Sequence, residues 1–230
     1  MKENLTEIVC ILDRSGSMQT QLGGGFPLFN QHNFTDQQGA IPGFNKFVAD
    51  QKNEPGECNM TVVLFDDKFE LLHDCVNIQS IPVITKEVWN ARGMTALYDA
   101  IGKTINEVGA RLAKTDEDER PSKVIFYIVT DGYENSSTDF TQEKINEMIS
   151  HQRDAYSWAF IFASADPTAV DTAIKMGISG GNVMNFSANA GSNSTMYSNV
   201  SKVMSKTRSM SSALYSMSAD SLLSDEEKQN

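Results

Sequence analysis

An aspartate and two serines at alternate positions, Asp13, Ser15 and Ser17, follow directly on five apolar residues, Ile8 to Leu12. A carboxylate and two hydroxyls offer only oxygen. Oxygen ligands suit a hard divalent cation, Mg²⁺ ahead of Ca²⁺ or Mn²⁺. Asp and Ser are also common turn residues, so the pattern gains weight from two later stretches. Thr95, in Gly93-Met94-Thr95-Ala96-Leu97, stands just before a helical pattern. Thr130-Asp131-Gly132 ends a second apolar run, Val124 to Val129. Both could present oxygen at the same place as Asp13.

For that, the two apolar runs must be neighbouring strands of one sheet. Short continuous apolar runs that end in turn residues read as strands buried on both faces. In a doubly wound sheet, ligands bind beyond the C-terminal ends of such strands, where Asp13 and Asp131 would lie. Strand and helix patterns alternate along the rest of the chain. Met60 to Phe65 is a β-rich run, Asp66-Asp67-Lys68 reads as a solvated hairpin turn, and Phe69 to His73 returns as an antiparallel edge strand. Leu97, Ile101, Ile105, Val108 and Leu112 recur at helical spacing. Asp139 stands where it would cap a helix buried through Ile145, Met148 and Ile149. Trp158 to Phe162 is a strand. Asp166-Pro167 starts a helix that Gly177 ends. Val183 to Phe186 is a last short strand. The expected fold is α/β: a doubly wound, mostly parallel sheet with one antiparallel edge strand and helices on both faces.

Two segments stand apart. Residues 19–42 show neither period and hold a triple glycine, Phe26, Phe29, Phe34 and Asp36. Long irregular loops are uncommon and often functional, so this stretch reads either as a ligand-contacting loop or as a loop pinned to its own domain by its Phe residues. At the other end, Met196, Val200, Val203, Thr207, Met210, Leu214 and Met217 predict an amphipathic helix over about 195–217. An acidic tail, 218–230, is expected to be disordered.

The chain has 230 residues, enough for one domain with a sizeable core, expected over 1–217. A net charge of −11 argues against nucleic acid or an anionic membrane as partner. Cys10, Cys58 and Cys75 form no C-x-x-C pair, which fits a reduced compartment. No stretch is apolar for long enough to read as a signal peptide or membrane span, and a cytoplasmic location is expected.

Asp13-Arg14-Ser15-Gly16-Ser17, Thr95 and Thr130-Asp131-Gly132 together resemble the metal-ion-dependent adhesion site of the von Willebrand factor type A domain. The resemblance runs from about Glu7 to Phe186, and Val62 to Asp67 is similar to small stand-alone bacterial and phage members. It implies a Rossmann-like fold and a bound Mg²⁺ or Mn²⁺. It further implies that Ser15, Ser17 and Thr95 bind the metal through hydroxyls, and Asp13 and Asp131 directly or through water. The implied partner is a protein that supplies an Asp or Glu to the metal, and the implied function is metal-dependent recognition rather than catalysis.

Two alternatives remain from the residues themselves. An assembly protein would use the same metal to join subunits. A metal-assisted hydrolase would need a general base or second metal, and no H-E-x-x-H, H-x-x-E-H or G-x-S-x-G motif is present. His32, His73 and His151 are scattered.

Overall fold

A computed structural model describes residues 1–19, 39–187 and 190–228. Its centre is a six-stranded sheet in the order β3-β2-β1-β4-β5-β6. The strands are β1 (Lys2–Asp13), β2 (Glu57–Phe65), β3 (Phe69–Asn77), β4 (Pro121–Thr130), β5 (Ala159–Ser164) and β6 (Val183–Asn185). All neighbours pair in parallel except β2 and β3. This is the doubly wound, mostly parallel α/β fold with one antiparallel edge that the sequence predicts.

Strand alternation divides the apolar residues between two faces. Ile8, Cys10 and Leu12 of β1 join Ile125, Tyr127 and Val129 of β4 on one face, under α1 (Ala40–Lys52) and α5 (Ala190–Ser209). Val9 and Ile11 join Phe126 and Ile128 on the other, under α2 (Leu97–Lys114), α3 (Gln142–Tyr156) and α4 (Ala169–Lys175). Continuous apolar runs are needed because β1 and β4 are buried on both sides. Their register pairs Leu12 with Val129, so the two strands end side by side. Among the described residues, no helix is long and apolar enough to cross a membrane.

Several boundaries differ from the sequence reading. The antiparallel edge strand continues past His73 to Asn77. Thr141, rather than Asp139, caps α3 by accepting from Lys144 N, and Asp139 pairs instead with Lys103 at 2.7 Å. Gly177, at φ 85°, ends α4 as expected. Its N–H reaches Ile174 O at 2.9 Å and the N–H of Ile178 reaches Ala173 O at 2.9 Å, satisfying carbonyls the helix leaves open.

The C-terminal region differs most. The expected single helix breaks after Ser209 and restarts as α6 (Ser212–Ser218). Ser211 caps the restart by accepting from Leu214 N, and Glu3 accepts from Ser212 N at 2.9 Å. The break changes which residues face inward. Met196, Val200, Val203 and Thr207 are buried as expected, but Leu214 and Met217 are 49% and 86% exposed. Tyr215 takes the buried position, donating from its hydroxyl to Val124 O at 2.7 Å and accepting from Ala159 N at 3.1 Å.

The segment after α6 is also not a free tail. Leu222 and Leu223 are buried, Asn182 holds Ala219 O and Leu222 N, and Asn185 N donates to Lys228 O at 3.1 Å. Two apolar anchors in a polar stretch are enough to dock it against β6.

Tyr215→Phe should cost about 1–3 kcal/mol, because it leaves buried backbone groups of β4 and β5 without a partner. Urea unfolding followed by circular dichroism measures this. An unchanged midpoint would mean that water replaces the hydroxyl at no cost.

Candidate metal centre

The centre forms where β1 and β4 end. Asp13, the last residue of β1, has no exposed surface. Its Oδ1 accepts from Ser15 N at 2.5 Å and its Oδ2 from Thr130 Oγ1 at 2.6 Å. Burial pushes the Asp13 carboxyl up to about 6, with these hydrogen bonds opposing the rise and Asp131 adding to it. A 3-10 turn at Gly16–Gln19 follows, pinned by the buried side chain of Met18. This turn brings Ser15 Oγ within 2.9 Å of Ser17 Oγ, and Ser17 Oγ donates to Asp131 Oδ1 at 2.6 Å.

Thr95 completes the group. A Cβ added to Gly132 would stand 3.0 Å from Ser17 Oγ, 3.1 Å from Thr95 Oγ1 and 3.8 Å from Ser15 Oγ. The three hydroxyls thus converge on one small space next to Gly132, where a side chain would intrude. All five residues singled out in the sequence (Asp13, Ser15, Ser17, Thr95 and Asp131) therefore meet, although they come from three separate stretches of the chain. Phe26, Phe29, Phe34 and Asp36, the expected ligand-contacting loop, lie outside the described residues, as does His32.

The donors fit a hard divalent cation. All are oxygen, two are carboxylates and three are neutral hydroxyls. Among the described residues no group of three or more His, Cys, Asp or Glu could hold a metal, so a softer, nitrogen- or sulfur-rich site is not on offer there.

Supporting residues that sequence reasoning missed hold each loop in place. Trp89, fully buried, donates from its indole N–H to Asp13 O at 2.9 Å. Asn135 clamps Thr95 on both sides, accepting from its N–H at 2.9 Å and donating to its carbonyl at 3.0 Å. The start of α2 has no cap of its own. Glu134 and Ser137, from the loop after Asp131, accept from the N–H groups of Tyr98 and Asp99 respectively, at 3.0 Å each. A carboxylate there also complements the helix dipole. The loop that carries Asp131 is thereby tied to the helix that follows Thr95.

Asp66 corrects the solvated-turn reading of Asp66-Asp67. It is buried and pairs with Arg14 at 3.2 Å and Arg92 at 2.6 Å. Its backbone carbonyl also accepts from Ala96 N at 2.9 Å. Only Asp67 is exposed. The sequence carried a faint signal in Asn135 and Glu134, which lie in a polar loop next to Asp131. Nothing marked Trp89 beyond its being a lone aromatic in a connector.

The chain matches the family model of the von Willebrand factor type A domain over residues 7–199. No curated protein matches its sequence. Among solved structures it is similar to proximal thread matrix protein 1 from the mussel byssus, in the form with a zinc-occupied metal-ion-dependent adhesion motif. That match has 16% identity and a TM-score of 0.54, covering 88% of this chain and 46% of that one. It is similar to the PilB minor pilin from Streptococcus sanguinis at 12% identity and a TM-score of 0.58, covering 90% of this chain and 62% of that one. It is also similar to a von Willebrand factor type A protein from Catenulispora acidiphila, at 13% identity and a TM-score of 0.54, covering 90% of this chain and 43% of that one. The chain spans about half the length of the mussel protein and under two thirds of the pilin. At such identities the likeness is one of fold.

Trp89→Phe keeps an aromatic ring but removes the donor to Asp13 O and leaves a small cavity where the rest of the indole was. A loss of about 1–3 kcal/mol in unfolding free energy is expected, since a buried carbonyl is left unpaired. Chemical denaturation reads it, and a midpoint equal to that of wild type would show that this bond does not support the loop.

Proposed function

The chain belongs to the von Willebrand factor type A family, and from that premise we propose that it is a divalent-cation-dependent protein-binding module. The observation that carries this reading is the convergence of Ser15, Ser17 and Thr95 hydroxyls beside Gly132, with Asp13 and Asp131 adjoining. Ser15, Ser17, Thr95, Asp13 and Asp131 would hold Mg²⁺ or Mn²⁺. The zinc-occupied site of the mussel protein supports a divalent ion at this position. Bound there, such an ion would supply an electrophilic centre for an Asp or Glu carboxylate of a partner protein.

The chain's own residues prepare that role. Thr130 and the Ser15 N–H orient the Asp13 carboxylate and leave its charge only partly satisfied. Two carboxylates balance a divalent charge, and the remaining donors are neutral, so little negative charge is left to repel an incoming anion. Mg²⁺ favours octahedral oxygen coordination and retains water readily, which leaves exchangeable positions. No residue is assigned a bond-breaking role, and the reading is one of recognition rather than catalysis.

Isothermal titration of Mg²⁺ and Mn²⁺ into wild type, Asp13→Ala, Asp131→Ala and Gly132→Ala tests the site, with circular dichroism reporting the fold. One ion is expected to bind wild type. Each folded Asp variant should lose binding by at least about tenfold, since each removes half of the balancing charge. Gly132→Ala should also weaken binding, because its methyl group would enter the space between the hydroxyls. Folded Asp variants that bind as tightly as wild type would refute the assignment.

A further inference from the structure

Two large apolar side chains stand exposed on the loops that carry the candidate ligands. Met94 is 57% exposed and is bonded directly to Thr95, whose backbone Asn135 clamps. Tyr133 is 64% exposed and follows Gly132. The Asp166 carboxylate lies nearby. Asp166 is itself buried and fixed by Thr168, which donates from its N–H and its hydroxyl at 2.8 Å each. The Tyr133 ring remains open to solvent. Neither residue is needed to gather the five oxygen donors, and neither is part of the core.

The charges around these residues narrow what they fit. Arg92, the nearby exposed cation, already pairs with Asp66 at 2.6 Å and lies 3.8 Å from Glu70. Arg14 is buried and held by Asp66 and Glu70. Asp67 is exposed, and its carboxylate lies against Gly93, next to Met94. Among the described residues, Arg14 and Arg92 are thus committed to Asp66 and Glu70, Lys68 stands beside Asp67, and a second acidic group on a ligand would meet the Asp67 carboxylate next to Met94. An apolar group would find Met94 or the Tyr133 ring.

We propose that the site takes an exposed loop of a partner protein in which a single Asp or Glu is flanked by apolar residues, the flanks resting on Tyr133 and Met94. This rests on the metal-dependent reading above and adds which carboxylates the site selects. Aromatic and thioether contacts of this kind contribute modestly but specifically.

Three fluorescein-labelled peptides test it, with Ala-Glu-Ala, Phe-Glu-Leu and Glu-Glu-Glu at their centres. Anisotropy is followed in saturating Mg²⁺ and again with chelator, beside a titration of Mg²⁺ alone. Phe-Glu-Leu should bind roughly three- to tenfold tighter than Ala-Glu-Ala, and tighter than Glu-Glu-Glu. Tyr133→Ala should erase most of that advantage while Mg²⁺ affinity stays at the wild-type value. Equal affinities, a preference for Glu-Glu-Glu, or an advantage that survives in the Met94→Ala/Tyr133→Ala double variant would overturn the inference alone. Dimerisation abolished by Tyr133→Ala, with no apolar preference among the peptides, would assign the rim to a second copy of the chain and overturn it too. Failure of Mg²⁺ itself to bind would overturn the metal-centre reading and this inference with it.

Discussion

A carboxylate with no exposed surface sits at the end of the central strand, and the surrounding structure is arranged to accommodate it. Asp13 faces the cost of burying a charge. Thr130 and Ser15 N offset part of it from two directions, and burial still holds the carboxyl at about 6. A neighbouring cation is the usual remedy for such a group, and the hydroxyls of Ser15, Ser17 and Thr95 are gathered where one could sit. Arg14, the adjacent cation, points its charge elsewhere, to Asp66 and Glu70.

Topology brings the partners together. Because β1 lies between β2 and β4, the residue after Leu12 is flanked by the ends of two parallel strands. Asp131 follows one of them. The loop leading to Thr95 is drawn in by Gly16 N, which donates to Gly93 O at 3.1 Å, and by Arg92 N, which donates to Arg14 O at 2.7 Å. The loop after Asp131 then caps α2 through Glu134. The three loops share hydrogen bonds, so none can shift without disturbing another. A fixed donor set is what selective binding of a small ion requires.

The sequence made the strands and the five donors legible because each depends on local features. A continuous apolar run marks a strand buried on both faces, and D-x-S-x-S sits beyond the first such run. What escaped depends on partners distant along the chain. Asp66 looked like a solvated turn because its arginines, Arg14 and Arg92, are remote in sequence. Trp89 and Asn135 act through backbone groups that carry no sequence signature. The break at Ser211 was hidden because a three- and four-residue apolar rhythm continues through Leu214 and Met217. Glu3, more than two hundred residues away, helps to stabilise the restart that turns those two residues outward.

The docking of the C-terminal segment on β6 has a further consequence. An open sheet presents unpaired backbone groups at its borders, and these can recruit strands from other chains. β6 is short, and its Asn185 N–H is already taken by Lys228 O. At the opposite border, β3 interrupts its own ladder with register shifts near Val62, and Cys75 adopts a positive φ of 50°. Both borders are thus poor templates for intermolecular β-pairing. The C-terminal segment therefore occupies a backbone group of one border as well as packing Leu222 and Leu223.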